Sequence, residues 1–206
     1  MMRNRASSQP GNPFDPGYFT SDELVGLGFK SIGRNVKIAK NCTIIGLHNV
    51  SIGSNVRIDG YSVLAAHSGY LDIGSYIHIA GGGHLSCAGG ITISDFCNLS
   101  QGVRIYSVSD DYSGASLTNP TIPAQYLNLT KAPVQLGRHV IIGSGSVVLP
   151  GARIGESTAI GALSLVNTSL AAWGIYAGTP TRWIKARSKD LLRLEAQLSL
   201  ADNPLG

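Results

Sequence analysis

Asp110, Asp111 and Tyr112 stand together in a polar stretch, "IYSVSDDYSG", and three histidines, His78, His84 and His139, occur in short aliphatic segments, "YIHIA", "GGGH" and "GRHVIIG". Carboxylates and imidazoles are the side chains that move protons near neutral pH. A second concentration of charge lies between Arg182 and Arg193, where Arg182, Lys185, Arg187, Lys189 and Arg193 face one acid, Asp190. Apart from Trp183 no aromatic residue interleaves with these charges, so the patch suits an anionic small ligand better than a nucleic acid. A glycine-rich pair of turns, Gly143-Ser144-Gly145 and Gly161-Ala162, could offer backbone N–H donors. Cys42, Cys87 and Cys97 are odd in number and lack CxxC or Cys/His spacing. Neither a disulfide framework nor a zinc site is indicated.

These groups must be held by a framework, and the sequence repeats in sixes. Read from aliphatic positions it gives "IGRNVK IAKNCT", "IGSNVR IDGYSV", "IGSYIH IAGGGH", "ISDFCN LSQGVR", "LGRHVI IGSGSV VLPGAR" and "IGESTA IGALSL VNTSLA". A strand repeats every two residues and a helix every 3.6, so a period of six fits short strands joined by tight corners. Three sixes form one coil, and the coils are expected to start at Ile32, Ile52, Ile73, Ile93, Leu136 and Ile154. The aliphatic first position and the small fifth position should point into a prism. Glycine at the second position is expected where corners demand backbone angles closed to other residues. In the fourth coil one corner opens into a protruding loop at about residues 107–133, marked by proline, Asp-Asp and Ser-Gly.

The ends differ from the repeats. Thr20, followed by Glu23, with Phe19 and Leu24 on either side, reads as a capping box with a hydrophobic staple. Leu191, Leu194 and Leu198 share one face of a C-terminal helix after Ser188. The expected organisation is an N-terminal arm and short capping helix over 1–30, a β-helix over 31–178, and a C-terminal extension and helix over 179–206. With 43% hydrophobic residues and only 14% charged ones, the chain should be a globular all-β protein. Its apolar runs are far shorter than the roughly 20 residues of a membrane span, and its first residues lack the apolar stretch of a signal peptide. A cytoplasmic protein without membrane insertion or nucleic-acid partner is therefore expected.

The hexads, and the ending "VIIGSGSVVLPGARIGESTAIGALSLVNTSLAAWGIYAGTPTR", resemble the hexapeptide-repeat acyltransferases over about residues 20 to 187. The stretches "YFTSDELVGLGFKSIG", "IYSVSDDYSG" and "HVIIGSGSVVLPG" are similar to the bacterial dTDP-4-amino-4,6-dideoxyglucose N-acetyltransferases and related surface-polysaccharide enzymes. The resemblance implies a left-handed parallel β-helix, a homotrimer with active sites between subunits, acetyl-CoA or another acyl-CoA as co-substrate without a metal, and a nucleotide sugar as acceptor. It further implies an N-acetyltransferase of O-antigen (lipopolysaccharide) biosynthesis. It places the acyl-CoA arm along Gly143, Ser144, Gly145, Gly161 and Ala162, with Arg182 and Lys185 at the phosphates.

In the galactoside and maltose acetyltransferase branch a histidine ends the repeat before the long loop, and this chain carries Asp110 there. A sugar hydroxyl of pKa roughly 15 requires an imidazole-like base, whereas an ammonium near about 8 is partly deprotonated already. The carboxylate therefore favours an amine. Asp110 is the expected catalytic residue, assisted by His78 or His139, with His84, Asp111 and Tyr112 contacting the sugar nucleotide. A sugar O-acetyltransferase and a non-catalytic β-helix scaffold are the alternatives. A zinc-dependent anhydrase is disfavoured because His48, His67, His78, His84 and His139 do not fall in one repeated column.

Overall fold

The computed structural model describes residues 12–202, with side chains through Ser199. Six coils stack along one axis, each made of three short strands. Coil 1 comprises Ser31–Ile32, Val36–Ala39 and Thr43–Ile45; coil 2 Val50–Ile52, Val56–Ile58 and Val63–Ala65; coil 3 Leu71–Ile73, Ile77–Ile79 and His84–Ser86. Coil 4 comprises Ile91–Ile93, Asn98–Leu99 and Arg104–Tyr106; coil 5 Val134–Leu136, Ile141–Ile142 and Val147–Val148; coil 6 Arg153–Ile154, Ala159–Ile160 and Leu165–Val166. A seventh begins at Leu170, which bridges Ile154, and continues as strand Gly174–Ala177. The result is a left-handed parallel β-helix with three flat faces, each a parallel sheet.

Register confirms the sixes. On the first face Ile32, Ile52, Ile73, Ile93, Leu136 and Ile154 pair in one unbroken ladder, so the expected coil starts stack on one another. The second face stacks Ile58, Ile79, Leu99, Ile142 and Ile160, and the third stacks Leu64, Leu85, Ile105, Val148 and Val166. Apart from the half-buried Ile32 of the first coil, these side chains are almost fully buried. Each contributes roughly 1.5–3 kcal/mol by leaving water, and every interior strand satisfies its backbone polar groups on the coils above and below.

Both open ends of the prism are covered. At the top, strand Tyr18–Thr20 runs antiparallel to Val36–Ala39, and the single turn Ser21–Leu24 inserts Leu24 into the core. The capping box is present, with the amide and hydroxyl of Thr20 both donating to Glu23 Oε2, at 2.8 and 3.0 Å. At the bottom, strand Arg182–Ala186 folds back antiparallel on Gly174–Ala177. On the second face, neither end presents the last parallel strand as a bare edge.

Two expectations need correction. The left-handed backbone conformation falls at the fourth position of the hexads, where Asn35, Asn55, Tyr76, Phe96, His139 and Trp173 all have φ between 54° and 62°. The second-position glycines have no such φ; a Cβ at Gly33 would lie 2.4 Å from the Gly53 carbonyl carbon, and one at Gly143 2.4 Å from the Ala162 nitrogen. Close approach of successive coils, not backbone angle, demands glycine there. The second correction concerns helix Asp190–Asp202, whose Leu194 and Leu198 are exposed. Leu191 and Glu195, one helical turn apart, form its half-buried side. Glu195 bonds Arg138 and lies 2.8 Å from His139 Nε2, so a polar latch holds the helix in place of a leucine face.

Candidate active site

The corner joining the second face to the third carries most of the chemistry. Its hexads place Asp59, Ala80, Ser100, Gly143, Gly161 and Ala177 in one vertical column. The amides of all but the last donate to the carbonyl of the next coil down. Coils repeat every 4.7–4.9 Å, so Asp59 of coil 2 lies roughly 14 Å above Gly143 of coil 5. Arg182 pairs with Ala177 at the bottom of the same column, and Lys185 pairs with Ile175 further along the strand. Both side chains are exposed.

The glycine-rich turns divide into two groups. The N–H groups of Gly143, Gly145 and Gly161 donate to Ile160, Gln101 and Tyr176, so the expectation that these three serve a ligand as backbone donors is corrected: the ladder consumes them. The amides of Ser144 and Ala162, third in their hexads and one coil apart, have no partner among the described residues and lie on the exposed edge of the corner. Glycine beside them is what lets the two coils approach; the donors are its neighbours.

At the upper end, His78 projects from the second face, and its Nε2 lies 2.8 Å from Asp59 Oδ2. Asp59 Oδ1 accepts hydrogen bonds from the Tyr18 hydroxyl at 2.7 Å and from Arg57 Nε at 2.6 Å. Burial, the largest single influence on this carboxyl, pushes its pKa up. The hydrogen bonds from His78, Arg57 and Tyr18 and the Arg57 charge outweigh it, so Asp59 sits below the usual carboxylate range and is ionised. The same bond raises the Tyr18 hydroxyl above its usual value, keeping it a donor. An open groove of about 410 Å³ runs beside His78, bounded by Asn55, Arg57, Tyr76, Phe96 and Asn98.

His84 lies on the third face, one coil above Arg104, with its ring 5.6 Å from that of Tyr106. The protruding loop leaves that face directly below. Val108–Ser109 and Thr130–Lys131 pair antiparallel at its base. Asp110, just past this base, accepts the Asn119 amide at 3.3 Å. Asp111 accepts the Ser113 amide and the Ser116 hydroxyl, both at 2.8 Å. The Ser113 side chain and amide, with Ser116, hold its pKa down to about 2. Tyr112 is 93% exposed. Within one chain no described contact joins Asp110 to His78, since the loop departs from the corner beyond the third face.

His139 is where the sequence reading fails. Its ring is 9% exposed, stacked on Phe96 with centroids 4.9 Å apart, and its Nε2 engages Glu195. Its carbonyl accepts Arg187 Nη1 at 2.8 Å. It belongs to the aromatic ladder of the opposite corner and to the helix latch, so the catalytic role expected for it is withdrawn. Asp59 and Tyr18 were missed. The signal was present in "IDGYSV", where a charged residue takes a position given to Gly, Ala or Ser in the other coils of this corner column. Among the described residues no cluster of His, Cys, Asp and Glu could hold a metal.

No family model matches the sequence. The chain is 45% identical over 179 residues to a dTDP-4-amino-4,6-dideoxy-D-glucose acyltransferase of Escherichia coli, covering 87% of this chain and 93% of that protein. The crystal structure of AntD, an N-acyltransferase from Bacillus cereus in complex with dTDP and 3-hydroxybutyryl-CoA, superposes with a TM-score of 0.87 at 43% identity, covering 91% of this chain and 98% of that one. A maltose O-acetyltransferase of Clostridium difficile 630 shares the fold alone, with a TM-score of 0.55, 20% identity and coverage of 82% and 75%. By the extent and identity of the first match, the chain belongs to the family of dTDP-4-amino-4,6-dideoxyglucose acyltransferases.

Proposed function

We propose that this protein transfers an acyl group from a coenzyme A thioester to the amine of a dTDP-linked 4-amino-4,6-dideoxy sugar. The observation that carries this reading is the likeness, over nearly the whole chain, to an Escherichia coli enzyme of that name and to AntD, one of whose variants was solved with dTDP-4-amino-4,6-dideoxyglucose and coenzyme A. The corner supports it. The unpaired Ser144 and Ala162 amides suit the carbonyl groups of a pantetheine arm, and Arg182, with Lys185 beyond it, suits the phosphates at its far end. Gly143, Gly145 and Gly161 act by keeping that edge close-packed and free of side chains.

With the thioester arm on coils 5 and 6, the acceptor is left the upper coils and the loop. Asp110 positions the ammonium, His78 takes up the proton, and His84, Asp111 and Tyr112 contact sugar or nucleotide. AntD has been solved as variants of a serine and of an aspartate ten positions apart. Ser100 and Asp110 match them in type and spacing, and Ser100 occupies the corner column midway between Asp59 and Gly161. Leu117 and Tyr126 of the loop are more than half exposed, which suits a homotrimer in which each loop rests on a neighbour and carries its Asp110 to the neighbour's corner. A cytoplasmic enzyme of surface-polysaccharide (O-antigen) synthesis, using acetyl-CoA or a longer acyl-CoA, completes the reading.

The test mixes the protein with acetyl-CoA and either the dTDP-amino sugar or its 4-hydroxy equivalent and follows release of free thiol. Faster turnover of the hydroxyl compound, or none with the amine, refutes the proposal.

A further inference from the structure

We propose that Asp59, clamped by Tyr18 of the N-terminal arm and Arg57, is the positioning residue that fixes the tautomer of His78 for acyl transfer. The inference rests on the proposed function and deepens it. An ionised carboxylate only accepts hydrogen bonds. The 2.8 Å contact between Asp59 Oδ2 and His78 Nε2 therefore requires the proton on Nε2, which leaves the lone pair on Nδ1. A neutral histidine free in water exchanges between both tautomers; this one is held in a single form and orientation. The other oxygen of Asp59 is taken by two donors, at 2.7 Å from Tyr18 and 2.6 Å from Arg57, so the carboxylate cannot swing away.

The clamp spans the fold. Asp59 and Arg57 belong to coil 2, His78 to coil 3, and Tyr18 to the strand that closes the top of the prism. A side chain serving only that closure would need no carboxylate at a corner-column position otherwise filled by Gly, Ala or Ser, nor a histidine 42% open to the groove. In the reaction, the sugar ammonium first gives one proton to solvent. The amine lone pair then attacks the thioester carbonyl carbon, and His78 Nδ1 accepts a second proton from that nitrogen. Collapse of the tetrahedral adduct breaks the carbon–sulfur bond, and the same proton passes from His78 to the departing thiolate, giving amide and free coenzyme A. Throughout, Asp59 stays ionised and carries the charge complementary to the transient imidazolium.

The test uses the full chain and two readouts. Asp59→Asn keeps shape but can donate from its amide, inviting the other tautomer. We expect kcat with acetyl-CoA and the dTDP-amino sugar to fall on the order of 10²-fold while both KM values stay within about threefold. In ¹⁵N spectra of the imidazoles, with His78→Gln as the assignment control, the wild-type protein should show His78 protonated at Nε2 and bare at Nδ1. The Asp59→Asn variant should lose that pattern. Tyr18→Phe removes one clamp and should lower kcat by about three- to tenfold with KM unchanged. This second variant decides the matter if Asp59→Asn does not fold. A wild-type kcat in Asp59→Asn or Tyr18→Phe, a loss confined to KM, or an unaltered His78 nitrogen pattern overturns the inference. If the wild-type protein releases no thiol, the proposed function fails, and the nitrogen spectra alone then decide the positioning role.

Discussion

Replacing Gly143 with alanine places a methyl carbon 2.4 Å from the Ala162 amide nitrogen and 2.7 Å from the Gly161 carbonyl carbon. Both obstacles are backbone, so no side chain can turn aside; coils 5 and 6 must separate by the better part of an ångström. Forcing a methyl group into a close-packed site costs about 1–3 kcal/mol, equivalent to a fall in Tm of about 2–12 °C for a chain of this size. The same displacement pulls the Ser144 and Ala162 amides out of step. An effect of 1.4 kcal/mol on the bound arm would raise KM for acetyl-CoA about tenfold. Gly82→Ala is the matched control. There φ is +73° and the nearest heavy atom to an added Cβ is 3.9 Å away, so only the conformational penalty of about 1 kcal/mol applies. Thermal unfolding and thiol-release kinetics on the two variants separate close approach from backbone angle. If Gly143→Ala matched wild type in both Tm and KM, the reading of the corner as a close-packed coenzyme edge would be wrong.

Asp110→Asn should lower turnover by about 10²-fold or more with the amine acceptor, since the carboxylate orients the nitrogen that attacks the thioester; unchanged thiol release removes Asp110 from the mechanism. Arg182→Ala should raise KM for acetyl-CoA about tenfold, the loss of one charge-assisted bond, and Lys185→Ala less. His139→Phe preserves the stack on Phe96 and breaks the bond to Glu195, so kcat should stay within about threefold while the C-terminal helix becomes the first segment cut by protease. Asp111 should titrate at about 2 by carboxyl NMR. Its folded value lies below the unperturbed value of about 3.9, so its turn is stabilised above pH 4 and loses that support as pH falls towards 2. Ser113→Ala should move the midpoint back up.

The period of six carried the fold because it is a direct image of the coil. Ile32 through Ile154 pair as one ladder because each hexad supplies the same inward side chain at the same height. The loop was legible for the converse reason, since a stretch rich in Pro, Asp and Ser-Gly does not carry its aliphatic residues at the spacing of six that the ladder needs. The capping box needed only four residues of local sequence. Long-range partners were not legible. Nothing near His139 announces that Glu195, 56 positions later, returns to take its Nε2. Nothing near His78 announces that Tyr18 and Asp59 converge there from the arm and the preceding coil. The glycines were recognised as necessary but for the wrong cause, because clash with the next coil depends on a neighbour about eighteen residues away.

The vertical column also acts as a ruler. In the proposed arrangement acceptor-side groups lie at coils 2 and 3, the thioester edge at coils 5 and 6, and the anchoring cation below coil 7, so every separation is a whole number of rungs of about 4.8 Å. Substitutions of outward-facing side chains can repaint a rung without moving it. Reach between the two substrates can therefore change only in steps, by gain or loss of an entire turn, and a carrier or acceptor of intermediate length has to be met by the loop, which lies outside the lattice of rungs.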